Sequence, residues 1–147
     1  MEHIAILSHK TLLDKILAGQ KTVESRFSRL KSLPFGQVAS GDLIYFKVSG
    51  GPVLGKAQVA QVKEYDDLTP ARVNELARRY EKELAISVDF LARKLESKYA
   101  TLIFLEQVES CEPWMYKQEG RAGWILLPTK SEESSEAKLL DFRAVGF

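Results

Sequence analysis

The chain has 147 residues, 45% hydrophobic and 28% charged, with five prolines and a net charge of +1; this balance suits one domain with its own core and excludes a largely disordered chain. A single cysteine, Cys111, excludes an internal disulfide, and the first residues show neither the basic stretch nor the apolar run of a secretory leader, so the expected location is cytoplasmic. No apolar run reaches the roughly 18 residues that span a bilayer, which excludes a membrane helix.

His3 to Leu7 reads as a short strand, and Ser8 is placed to cap a helix whose Leu12, Leu13, Ile16 and Leu17 form one apolar stripe. Gly19 ends that helix, since glycine best tolerates the left-handed turn just past a helix end. Lys21 to Phe27 then alternates: Lys21, Val23, Ser25 and Phe27 share one strand face, and Thr22, Glu24 and Arg26 share the other. Residues 28 to 42 read as a loop around Pro34, Gly36 and Gly41. Leu43 to Val48 and Val53 to Lys63 read as a hairpin joined by Ser49-Gly50-Gly51-Pro52.

Thr69 before Pro70 starts a helix with Val73, Leu76, Ala77, Tyr80 and Leu84 at helical spacing, and Ser87 caps another that carries Phe90, Leu91 and Leu95. Strands follow at Ala100 to Val108 and Gly123 to Leu127. The Ser- and Glu-rich stretch 130–138 reads as a mobile loop, and Leu139 to Phe147 as a last short strand or a loosely packed tail. Five or six strands with an early helix and a helical insertion over about 69–98 predict an α+β fold, a small, partly closed β-barrel forming one domain over residues 1–147.

Charge divides along the chain. Residues 1 to 63 hold 9 Lys and Arg against 4 Asp and Glu, a net of +5, and the remainder hold 12 against 16, a net of −4, which favours an anionic ligand near the first segment. The densest charge there is Lys21-Thr22-Val23-Glu24-Ser25-Arg26. Glu24 and Arg26 lie about 6 to 7 Å apart on one strand face. Strict alternation would turn Lys21 away, but at the junction after Gly19 the pleat does not fix its direction, and it is taken to join them.

An apolar helix ending in Gly19-x-Lys21-Thr22, then Glu24-x-Arg26 on a strand, then Gly41-Asp42 before the apolar Leu43-Ile44-Tyr45-Phe46, resembles the ASCH family of the PUA-like superfamily. The resemblance implies a PUA-like β-barrel with a cleft beside the first helix, thought to bind RNA, nucleotides or modified nucleosides. One branch resembles acetylcytidine amidohydrolases, in which the lysine matching Lys21 supports a nucleophilic threonine; Glu24 stands in that place, so the hydroxyl is missing, and Glu75 is the nearest candidate for that branch's later glutamate. Other relatives are linked to RNA cleavage, for which Lys21 and Glu24 would be the catalytic pair through proton transfer and charge stabilisation.

The expected ligand-binding set is therefore Ser8, Lys10, Lys21, Thr22, Glu24, Arg26 and Arg121, against the plainer reading of a surface ion pair on a barrel strand. Trp114 and Tyr116, in a loop near Arg121, are candidate cleft walls, and Trp124 is a core residue. Lys47 and Lys56 read as edge lysines that block aggregation. His3 and His9 alone make no ligand set, so neither a metal nor another cofactor is expected. The expected partner is RNA or a nucleotide or nucleoside; a protein-interaction role for the insert is the weaker reading, because packing on the barrel explains its stripe.

Overall fold

The computed structural model describes residues 1–128, so the stretch 130–138 and the tail after it lie outside the described residues. The elements run β1 (Glu2–Leu7), α1 (Lys10–Leu17), β2 (Val23–Ser28), β3 (Leu43–Val48), β4 (Val53–Tyr65), α2 (Pro70–Arg79), α3 (Glu81–Leu84), α4 (Val88–Lys94), β5 (Tyr99–Trp114) and β6 (Trp124–Leu126). The six strands form one mixed sheet in the order β2-β5-β4-β3-β1-β6, with β1 parallel to β3 and the other pairs antiparallel. Register shifts along β4 and β5, with Gln107 at φ 50°, break the ladder at several points. Such bulges bend a strand and tighten its twist, and the sheet curls into a half-barrel, the partly closed α+β barrel expected from the sequence.

Each sheet face has its own core. Ala5, Leu7, Ile44, Phe46, Ala57, Val59, Ile103 and Trp124 point inwards and pack with Leu13 and Ile16 of α1. On the outer face Val23, Phe27, Ala100 and Leu102 meet Leu68 and, from the helical insertion, Val73, Leu76 and Leu84. Local signals account for the insertion: the Thr69 hydroxyl accepts from Arg72 N–H at 3.2 Å, Pro70 opens α2, and the Ser87 hydroxyl accepts from Phe90 N–H at 3.1 Å. Gly19 takes φ +78°, as the sharp exit from α1 demands.

Three expectations are corrected. Ser8 does not cap α1: the chain stays extended through His9, which takes the N-cap position without a side-chain bond, so Ser8 lies one residue too early. Trp114 is no loop residue. β4 runs to 13 residues, and its long partner β5 resumes pairing beyond Pro113, setting Trp114 opposite Val53 and edge-on to Tyr45. Lys47 and Lys56 are not edge lysines, because β3 and β4 lie inside the sheet; Lys47 is buried, which pushes its ammonium below the ordinary lysine value, and Lys56 pairs with Glu109 at 3.3 Å.

Candidate functional site at the closing edge of the barrel

The helix end, the glycine turn and the first residues of β2 bring Lys21, Glu24 and Arg26 together. Lys21 does turn towards the pair: its ammonium lies 3.9 Å from Glu24 Oε1 and donates to the Leu84 carbonyl at 2.5 Å. Glu24 Oε1 also accepts from Ser25 N–H at 2.9 Å, and Glu24 Oε2 from Arg26 at 3.3 Å. Lys21 and Glu24 are almost wholly buried, whereas the Arg26 side chain keeps 23% exposure. Burial pushes the Lys21 ammonium below its ordinary value; Glu24 opposes that shift, and Arg26 and Lys15 add to it.

Arg26 also joins the two edges of the sheet. β2 and β6 are the outermost strands, yet Arg26 Nη1 donates to the Gly123 carbonyl at 2.9 Å and Nη2 to the Ile6 carbonyl at 3.1 Å. Its guanidinium lies over the Trp124 ring, 5.2 Å from the centre, where the indole face attracts the positive charge.

Behind Trp124 runs a second set of polar contacts. Trp124 Nε1–H donates to His3 Nδ1 at 3.1 Å, so His3 Nδ1 is the acceptor and its proton sits on Nε2, which donates to Asp42 Oδ2 at 2.8 Å. Asp42 further accepts from Ala39 N–H at 3.0 Å and from the Met1 amino group at 3.2 Å. Burial alone would raise the Asp42 carboxyl; the His3, Ala39 and amino-terminal donors outweigh it and hold the group below its ordinary value. Sequence reasoning treated Trp124 as core and gave His3 no role. The partners lie 39 and 121 residues apart in the chain, and no local spacing signals such contacts.

The other expected residues scatter. Thr22 is exposed, and its backbone rather than its hydroxyl is engaged, its N–H donating to the Glu83 carbonyl at 2.9 Å. Ser8 is exposed two residues beyond Ile6, and Arg121 is exposed two residues before Gly123, so both flank the carbonyls that hold Arg26. Lys10 turns to Asp14 in an exposed pair at 3.1 Å. Glu75 pairs with Arg72 on α2 at 3.1 Å and does not join the charged trio. A concavity of about 570 Å³ lies elsewhere, over Gly41, Leu43, Lys56, Gln58, Gln107 and Glu109. It contains none of the trio, so the chemistry of the buried charges, not the size of this hollow, designates the candidate site. Among the described residues no three His, Cys, Asp or Glu side chains gather to hold a metal, and no helix is long and apolar enough to cross a membrane.

A model of the ASCH domain matches residues 7–138. The chain belongs to the ASCH domain family. Its fold is similar to the crystal structure of ASCH from Zymomonas mobilis, with a TM-score of 0.67 and 23% identity over 94% of each chain. A tyrosine-to-phenylalanine variant of that protein gives the same TM-score and identity, over 94% of this chain and 97% of the other, and a serine-to-alanine variant does so over 94% and 95%. No curated protein matches this ASCH chain.

Proposed function

We propose that this ASCH domain binds RNA or a nucleotide at the end of the half-barrel closed by Arg26. The observation that carries the reading is a guanidinium fixed by two carbonyls, one carboxylate and an indole face while still partly open to solvent. A cation held rigidly at a partly exposed position loses little entropy on meeting a phosphate or a base edge. Lys21 and Glu24 then act from behind: Lys21 ties β2 to Leu84, and Glu24 orients Arg26. Exposed Ser8 and Arg121 flank the same end and enlarge the surface a ligand meets. Family membership and the early excess of basic charge support the same reading.

The test is RNA binding by Lys21→Ala with Arg26→Ala across a salt titration, after circular dichroism has shown the variant to be folded. Weaker binding and a flatter salt dependence are expected; unchanged affinity and slope would sink the assignment. A second reading, an enzyme acting on RNA or a modified nucleoside, draws on the lowered Lys21 ammonium beside Glu24. A buried amine whose pKa is lowered beside a carboxylate is the kind of group that takes part in proton transfer. Glu24→Gln separates the two readings, since an enzyme would keep binding and lose product formation, and a binding module would form no product in either state.

A further inference from the structure

Among the described residues β5 is the one strand that pairs with β2, and the end of α4 reaches β2 through Lys94. The Lys94 ammonium donates to the Phe27 carbonyl at 3.4 Å, and Lys98 N–H to the Ser28 carbonyl at 3.0 Å, so the end of the insertion is fastened residue by residue to the strand that carries Arg26. Lys94 therefore reaches the backbone of β2 one residue beyond Arg26, with Arg93 beside it on α4 and with Arg29 next in the chain to the Ser28 carbonyl that Lys98 meets. Among the described residues none of Arg29, Arg93, Lys94 or Lys98 forms an ion pair. Arg93 directs its Nε to the backbone carbonyl of Asp89, not to its carboxylate, and both Arg93 and Lys94 lie over the Phe90 ring, at 6.0 and 5.5 Å.

Cations in the last turn of a helix ordinarily serve the helix dipole. Lys94 does not fit that account, because its ammonium leaves the helix for a carbonyl of β2. Burial, then Arg93, then Arg26 push the Lys94 ammonium below its ordinary value, so these cations oppose one another, and of the three only Arg26 has a carboxylate within ion-pair distance among the described residues, Glu24. A bound polyanion relieves that opposition, and counterions displaced by its phosphates supply the driving force.

Resting on the RNA-binding reading above, we propose that α4 and the end of β2 extend the Arg26 site into a track for the phosphodiester backbone of RNA, with Arg93 and Lys94 as its phosphate contacts. The helical insertion is thus part of the ligand surface and not only a cover for the outer core.

The experiment measures anisotropy of a fluorescein-labelled, mixed-sequence single-stranded RNA of about 12 nucleotides, a length in the range of one small binding fold, over a salt series. Four proteins are compared: the intact chain, Arg93→Gln/Lys94→Gln, the exposed single change Arg93→Gln, and Lys56→Gln/Arg78→Gln as an equal loss of charge elsewhere. For single strands the slope of log K against log salt is about 0.7 per phosphate contact, so the double change in α4 should flatten it by roughly 1.4 and Arg93→Gln alone by roughly half as much, whereas the distant pair leaves it unchanged. Equal slopes for the α4 and distant pairs overturn the track; if Lys21→Ala with Arg26→Ala weakens binding all the same, the RNA-binding reading survives without it. No binding by the intact chain overturns both. Loss of binding to phosphatidylserine vesicles in the α4 variant, with RNA binding unaltered, would overturn RNA as the polyanion.

Discussion

Replacing Arg26 by Ala removes the contacts that bind the two sheet edges together. The Gly123 carbonyl keeps its bond from Ile6 N–H at 3.0 Å, so the net losses are the Ile6 carbonyl at 3.1 Å, the Glu24 carboxylate at 3.3 Å and the contact with the Trp124 ring. Hydrogen bonds to charged groups contribute about 1.5–3 kcal/mol each. The partial exposure of Arg26 screens its share, while nearly buried Glu24 is left with Lys21 at 3.9 Å as its nearest cation. A loss of about 2–4 kcal/mol is expected, read as a lower urea midpoint at unchanged slope. Glu24→Gln in the same chain should recover part of it, because the stranded carboxylate is then gone, giving a coupling of about 1–2 kcal/mol in the double-mutant cycle. A loss below about 0.5 kcal/mol, or strict additivity of the two changes, would refute the view that Arg26 is a closing contact.

The lowered Lys21 ammonium means that the unfolded chain binds more protons between the folded value and the ordinary lysine value, so stability rises with pH across that alkaline window. Lys21→Met should reduce the rise in denaturant midpoint without abolishing it, since Lys47 and Lys94 are lowered too; an unaltered rise would count against Lys21. Asp42 has the opposite dependence: its folded carboxyl is held low, so its stabilisation is present above the ordinary carboxylate value and is lost as pH falls through the folded one. Asp42→Asn should flatten acid unfolding followed by tryptophan fluorescence, and a parallel acid limb would contradict the His3 and Ala39 contacts. Gly19→Ala should cost about 1 kcal/mol from its positive φ alone, because an added Cβ meets nothing within 4 Å; a neutral result in thermal unfolding would mean the turn relaxes.

What the sequence made legible was local. Gly19, Thr69-Pro70 and Ser87 punctuate helices through bonds within a few residues, and the alternation of β2 puts Glu24 and Arg26 on one face. Ser8 misled because one more extended residue separates it from the helix, a difference of a single ψ angle that periodicity does not resolve. Trp114 misled because Pro113 reads as a stop, while a long partner strand carries pairing past it. The carbonyl ties of Arg26 and the set formed by His3, Asp42 and Trp124 were illegible for a different reason: they depend on how the sheet curls, and curl comes from register shifts that no window of neighbouring residues contains. Lys21 lies between these cases, since the glycine turn frees its direction and only Leu84, from the insertion, fixes it.

The position of β1 in the sheet bears on the order of folding. This strand pairs with β3 on one side and with β6 on the other, so it cannot be completed until a segment more than a hundred residues downstream arrives; His3 and Trp124 are 121 residues apart. Contacts of such separation require large loops to close before they contribute, which slows folding. The hairpin of β3 and β4 can assemble early and locally, while one side of β1 remains unpaired on the growing chain until β6 leaves the ribosome. A destabilising change at Gly123 or Trp124 would therefore lengthen the period during which that side is open to other chains, and its first symptom in cells would be aggregation during synthesis, ahead of any loss from the folded pool.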